Sequence, residues 1–359
     1  MNEVFFMKEI ATRVVRIVHA AFFFALPFLT AFLLSGAITA RKAQKSLRCS
    51  DPEKRKIRPV CSAGILAGFL CAAFVYFFIG NFPEFSFLEY LLIESFLVMA
   101  ALPYFILGCV QDSFNLKMET RAAASFVIVL AQILLCFLSV FIDVCEISSV
   151  FYLILLLPIA FCFLGSAYDA LRKVAGNLET AFWGLVIALV FQAFHKNVLC
   201  FGIFVGGALL APLVWNLCFK PRIRLGTGAG LFLGVCATFL VSCIVCDFDA
   251  GLGYKVCLFC TLLAFPIYDA CSVVLLRSKG YRDLSKSWHD HFAHRLLRGG
   301  FPLWAVNLIT FAAAGVLPAV VLALPEYFVY AGFGLVCLFL LAFDILAAFL
   351  CREKSDKST

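Results

Sequence analysis

Residues 327–351 read YFVYAGFGLVCLFLLAFDILAAFLC, an apolar run whose one charged residue is Asp344 and which ends at Arg352, Glu353 and Lys354. A helix rises about 1.5 Å per residue and a bilayer's hydrocarbon core is about 30 Å thick, so about 20 such residues cross it. A helix apolar on every face has no side to turn to water. Ten further runs of this kind precede it: 17–39, 60–80, 88–110, 121–143, 149–167, 178–194, 198–217, 229–246, 254–276 and 301–323. The shortest, 178–194, makes ten spans the alternative to eleven.

The composition points the same way. Of 359 residues, 64% are hydrophobic and 14% charged, with a mean hydropathy of +1.01. Soluble domains have about 45–50% apolar and about 25% charged residues. So few charges could not cover the surface of a soluble chain this long, which excludes soluble enzymes, nucleic-acid binders and disordered chains. The expected fold is all-α: a polytopic membrane helical bundle of about eleven spans, one integral-membrane domain over residues 1–359. Residues 1–16, with Lys8, Arg13 and Arg16, read as an interfacial amphipathic segment and residues 352–359 as a tail. No small-residue cleavage site follows 17–39, so that run reads as a span rather than a removed signal peptide.

Basic residues orient the chain, because cytoplasmic loops are enriched in Lys and Arg. Loop 40–59 holds eight: Arg41, Lys42, Lys45, Arg48, Lys54, Arg55, Lys56 and Arg58. The following connections alternate: none at 81–87, Lys117 and Arg121 at 111–121, none at 144–148, two at 168–177, one at 195–197. Three at 218–228, none at 247–253, six at 277–300, none at 324–326 and three in the tail complete the pattern. The odd-numbered loops and the tail are therefore expected in the cytoplasm, outweighing the three basic residues before the first span. The net charge of +7 belongs to this distribution and is no nucleic-acid signal. The 17 cysteines lie mostly in apolar runs and read as small hydrophobes. The pairs Cys243/Cys246 and Cys257/Cys260 have zinc-like spacing, but in apolar span ends the two pairs need not meet.

The long polar loops all fall on the cytoplasmic side. Residues 51–65 read DPEKRKIRPVCSAGI, a basic loop closing on a Pro-led helix start. Residues 105–116, FILGCVQDSFNL, put Gln111 and Asp112 at the end of a span, with Arg121 and Gln132 beyond. In 166–176, SAYDALRKVAG, Asp169 and Arg172 have the i,i+3 spacing of an ion pair. Residues 216–234, NLCFKPRIRLGTGAGLFLG, open a helix with glycines. Such a stretch either cradles an anion on backbone N–H groups or is a tightly packed helix start. Finally, PIYD at 266–269 and Arg277 precede WHDHFAHRLLRGGF at 288–301, where His289, His291 and His294 cluster.

In order and in register, these loops resemble the polyprenyl-phosphate N-acetylhexosamine-1-phosphate transferases, the glycosyltransferase family 4 type. The family includes the enterobacterial-antigen, teichoic-acid and muramyl-pentapeptide initiating enzymes. The first loop is similar to D-x-P-x-x-R-K-I-H-x-x-P without the His. The second has Gln111 and Asp112 for an Asp-Asp pair. The third follows N-x-x-N-x-x-D-x-x-D-G as Ser166, Asp169, Arg172, Ala175 and Gly176. The fourth carries Thr227 where the family has a metal-associated Asp. The fifth keeps Asp269, Arg277, His291, His294, Arg295 and Leu296, with Ala293 for the middle His and Trp288 for an Asp. The likeness covers residues 51–301 or so.

The resemblance implies transfer of a sugar-1-phosphate from a UDP-sugar to polyprenyl (undecaprenyl) phosphate, as in cell-wall and lipid-linked glycan synthesis. It implies a multi-pass protein of the plasma (inner) membrane with its site on the cytoplasmic face, and partners in polyprenyl phosphate, UDP-N-acetylhexosamine and a second copy in a homodimer. Catalytic roles fall on Asp112, His291 and His294. Substrate contacts fall on Asp169, Arg172, Arg222, Arg224, Thr227, Asp269, Arg277 and Arg295. Mg²⁺ is the implied cofactor if the chain is active, with Asp112 as the surviving metal ligand, since hard cations take carboxylate and phosphate oxygens. Four acidic family positions read Gln111, Arg172, Ala175 and Thr227. The alternative is therefore a catalytically degenerate relative that binds lipid phosphate or nucleotide sugar without efficient turnover. A transporter is a third class, with Glu94 and Asp344 as its midplane ionisable candidates. Asp112, Asp169, Arg172, Thr227, His291 and His294 are expected to converge on one cytoplasmic cleft. A cysteine placed in loop 277–300 should react with an impermeant thiol reagent only from the cytoplasmic side; labelling from outside would overturn the orientation.

Overall fold

The computed structural model describes residues 87–114, 116, 118–141, 147–172, 174–193, 198–218, 225–246, 248, 250–278, 291–325 and 327–356. The expected spans 17–39 and 60–80, loop 40–59, Arg222 and Arg224 lie outside the described residues, as do the side chains of Glu94 and Arg277. The described elements are helices α1 (Phe87–Phe114), α2 (Met118–Phe141), α3 (Ile147–Leu171), α4 (Asn177–Ala193), α5 (Val198–Cys218) and α6 (Thr227–Cys246). They continue as α7 (Leu252–Leu262), α8 (Ala264–Ser278), α9 (Phe292–Gly299), α10 (Leu303–Phe311), a π-helical turn (Ala312–Val316), α11 (Leu317–Ala323) and α12 (Tyr327–Asp356). Among the described residues there is no strand, as the apolar runs require: inside a bilayer only a helix satisfies its backbone within one segment.

Three described helices are long and apolar enough to cross a membrane: Thr227–Val245, Leu303–Ala323 and Tyr327–Leu350. Helices α7 and α8 make a fourth if taken as one span, bent by 76°. The bend has a local cause: Pro266 has no N–H for the carbonyl of Leu262, and the helix restarts after Leu263. The runs 178–194 and 198–217 are helical, as α4 and α5.

Helix α6 is the centre of the packing. Its span is 94% buried, whereas that of α12 is 17% buried. Its glycines explain the difference. A Cβ on Gly234 would lie 2.5 Å from the Cα of Gly165 in α3, and one on Gly108 of α1 would lie 2.3 Å from the backbone N of Gly228. A Cβ on Gly230 would lie 2.6 Å from the Cα of Asp169. These backbones touch because the side chains are missing, which is how helices gain packing energy where lipid is as apolar as leucine. The periphery is apolar too: Phe126, Val127, Leu130 and Leu134 of α2 and Leu338, Ile345 and Phe349 of α12 are exposed. Such faces suit hydrocarbon.

Replacing Gly234 by Val should lower stability by about 1–3 kcal/mol through forced separation of α3 and α6. Gly334→Ala, where an added Cβ meets nothing within 4 Å, should be neutral or slightly stabilising. Detergent-titrated unfolding followed by circular dichroism measures both.

Candidate functional site

The C-terminus of α1, the N-terminus of α2, the C-terminus of α3 and the N-terminus of α6 meet at one end of the bundle, and a continuous polar network joins them. Asp112, at the end of α1, accepts hydrogen bonds from the Thr227 backbone N–H at 2.7 Å and from Thr227 Oγ1 at 2.6 Å. Thr227 Oγ1 accepts from Arg172 Nη2 at 2.5 Å. Arg172 Nε donates to Asp169 Oδ1, and Arg121 Nη2 donates to Asp169 Oδ2 at 3.1 Å. Asp169 and Thr227 are buried, at 4% and 1% exposure, while Asp112 is exposed.

Each contact has a physical reason. Thr227 is the first residue of α6, and its N–H has no partner within the helix. A carboxylate satisfies that donor and complements the positive end of the helix dipole. The glycine stretch is thus a tightly packed helix start, with the chain's own carboxylate where an anion would bind. Gly230 admits the Asp169 backbone. Asp169, buried, lies between two guanidinium groups.

Gln111 and Ala175 are engaged outside this network. Gln111 donates from Nε2 to the Leu116 carbonyl at 3.2 Å. Ala175 accepts a hydrogen bond from Asn307 Nδ2 at 3.2 Å on its carbonyl. Among the described residues, no group of three His, Cys, Asp or Glu side chains could hold a metal ion. The acids of this network, Asp112 and Asp169, are bound to a helix terminus and to two arginines, an arrangement that does not fit Mg²⁺. Among the described residues, Cys243, Cys257 and Cys260 form no disulfide.

A second network fixes the histidine segment. Asp269 of α8, 1% exposed, accepts from the Phe292 backbone N–H at 2.6 Å and bonds His291 Nδ1 at 2.9 Å. This is a second helix start capped by a carboxylate from another element, here α9. Arg295 donates from Nε and Nη2 to the two oxygens of Asp344 in α12, each at 2.7 Å, and from Nη2 to Ser272 Oγ at 2.9 Å. Tyr268 donates to Asp344 Oδ2 at 2.7 Å. Burial works against the Arg295 charge, but the hydrogen bonds and charge of Asp344 more than offset it and raise its hold on the proton. Helix α9 ends on Gly300 at φ 96°, with Phe301 N–H bonded to the Leu296 carbonyl, a left-handed stop that glycine takes without strain.

The structure therefore brings together Asp112, Asp169, Arg172 and Thr227, and separately Asp269, His291 and Arg295. His294 stands half-buried on α9, one residue before Arg295. Helix α10 meets the loop after α3 and the start of α4: Asn307 Nδ2 donates to the Ala175 carbonyl, and Thr310 Oγ1 donates to Asn177 Oδ1. Arg121 and Tyr268 were not among the expected site residues, and Asp344 entered only as a transport candidate. An arginine opening a helix across from Asp169 was the one available hint. No protein-family model matches the chain, and no curated protein matches it either.

Asp169→Ala would leave Arg121 and Arg172 side by side without their anion. Breaking a buried ion pair costs about 3–5 kcal/mol. Both guanidinium groups are partly exposed, at 26% and 21%, so a loss of roughly 2 kcal/mol is expected. Adding Arg172→Ala should recover part of it in a double-mutant cycle; additive losses would mean that the pair does not couple.

Proposed function

We propose that the chain is a divergent relative of the polyprenyl-phosphate N-acetylhexosamine-1-phosphate transferases. It binds an anionic ligand, polyprenyl phosphate or UDP-N-acetylhexosamine, at the cytoplasmic face of the cell membrane, within a bundle of about eleven spans and without efficient Mg²⁺-dependent transfer. One observation carries this reading: the Arg172 guanidinium lies between Asp169 and the Thr227–Asp112 pair. A fixed cation takes the position between two carboxylates that a divalent ion would need, and like charge disfavours a second cation there.

The same geometry favours an anionic ligand. Each guanidinium carries five N–H donors. Arg172 uses Nε and Nη2 and Arg121 uses Nη2, so Nη1 of each is left for a phosphate among the described contacts. Phosphoryl transfer needs the charge of both phosphates neutralised along the reaction path, and two half-engaged arginines suit one phosphate better than two. A second reading, an active transferase, draws on the retained Asp112, Asp269, His291, His294 and Arg295. Transport loses one of its two candidates, since Asp344 is held by Arg295 and Tyr268.

The purified chain in nanodiscs should bind undecaprenyl phosphate or UDP-N-acetylglucosamine equally well with and without chelator, and turn over far more slowly than a relative with all its acids. Arg172→Ala should raise Mn²⁺ affinity, read by electron paramagnetic resonance. Rapid transfer by the wild-type chain, abolished by chelator and by Asp112→Asn, would establish the active transferase instead.

A further inference from the structure

Helix α2 is built inside out. Phe126, Val127, Leu130 and Leu134 are exposed on its outer face, while Arg121, Ser125 and Gln132 lie on the inner one. Those three follow at i, i+4 and i+11, one stripe of a helix with 3.6 residues per turn. The stripe starts at the network of helix ends, where Arg121 meets Asp169, and runs about 16 Å into the bundle. Its neighbours are polar as well. Gln132 Nε2 donates to the Ala100 carbonyl of α1 at 3.0 Å. Tyr104, one turn further along α1, lies on the same face as Ala100. The Cys162 thiol of α3 shares a hydrogen bond with the Ser125 side chain and lies within the field of Tyr104 and of Arg121. Helices α1, α2 and α3 thus close a polar seam inside apolar surroundings.

Two atoms of the seam are open. Tyr104 is 1% exposed and Gln132 9%, and among the described residues neither Tyr104 Oη nor Gln132 Oε1 has a hydrogen-bond partner. A phenol hydroxyl donates and accepts, whereas an amide oxygen only accepts. Leaving either unpaired in an apolar interior is costly. We infer that α1, α2 and α3 enclose a binding site for water, in which water donates to Gln132 Oε1 and accepts from the Tyr104 hydroxyl. Buried waters typically bond about three polar groups, and Ser125 and Cys162 offer the further partners. An apolar occupant would leave both open atoms unpaired. The Arg121 guanidinium at the mouth of the seam disfavours a metal cation by like charge. The site carries the polar network of the helix ends into the interior and hydrates the bundle behind Arg121. It is independent of the ligand-binding reading above.

X-ray hydroxyl-radical footprinting of the full-length chain in nanodiscs tests the site, because radicals made from bound water oxidise the side chains beside it. After correction for the intrinsic reactivity of each ring, Tyr104 should be oxidised well above Phe182, a fully buried aromatic of α4. In oxygen-18 water the added oxygen should carry the isotope. Tyr104→Phe and Gln132→Leu remove the two open atoms while nearly keeping their shape. In the double variant, oxidation of the ring at position 104 should fall to the Phe182 level, with helix content by circular dichroism unchanged. Each single variant should lower it in part, and these two carry the test if the double variant fails to fold. Oxidation of wild-type Tyr104 no greater than that of Phe182 overturns the inference. So does undiminished oxidation at position 104 in the folded variants, which would trace to bulk water rather than to a site built by these two groups.

Discussion

A helix that starts inside an apolar bundle has N–H groups that neither its own turns nor water can satisfy. Two helices here meet that constraint in the same way, by taking a carboxylate from a neighbour. Asp112 of α1 caps α6, and Asp269 of α8 caps α9. The rest of the polar structure is arranged around these two caps. Arg172 and Arg121 extend the first into a network of four helix ends, and His291 completes the second. Asp112, which the resemblance makes a metal ligand, and Asp269, which it makes a substrate contact, are thereby committed to holding helices in place.

The central position of α6 depends on the absence of side chains. Gly228, Gly230 and Gly234 let α1 and α3 approach to backbone contact, and the cap from Asp112 is within reach only at that distance. Packing and polar network are one device: separating the helices by a methyl group would also draw Asp112 away from Thr227. The bend at Pro266 has a comparable effect on the second network, because it sets the direction of α8, which carries Tyr268, Asp269 and Ser272 toward α9 and α12.

Much of this was legible in the sequence. Apolar runs of about 20 residues announced helices, and α1, α6 and α12 follow them closely because hydropathy alone decides them. The i,i+3 pair Asp169–Arg172 was readable from helical spacing. Its partners were not: Arg121 is 48 residues away and Thr227 is 55, and no local pattern encodes which helix ends will meet. The glycines at 226–234 left anion cradle and tight packing equally open, and only the contacts with Gly108 and Gly165 decide for packing. Asp344, an isolated acid in an apolar run, looked like a transport residue; its partner Arg295 lies in a different polar loop. The resemblance to a transferase family drew attention to Asp112, Asp169, Arg172, Thr227, Asp269, His291 and Arg295, but which of them serve structure depends on distances that spacing does not contain.

The cap on α6 also imposes an order on assembly. Asp112 and Thr227 are 115 residues apart in the chain. With chain growth at about 5–20 residues per second, the carboxylate at the end of α1 is made roughly ten seconds before the N–H it will cap. Over that interval α2 to α5 are synthesised while the acid must remain hydrated or temporarily paired, and Lys117 and Arg121, next in the chain, are the first cations to emerge. The Arg295–Asp344 link spans only 49 residues and closes last, when α12 arrives. The bundle is thus sewn from its centre outward, and a nascent chain halted before α6 would present a membrane protein with its central acid still uncommitted, the state in which quality-control machinery would find it.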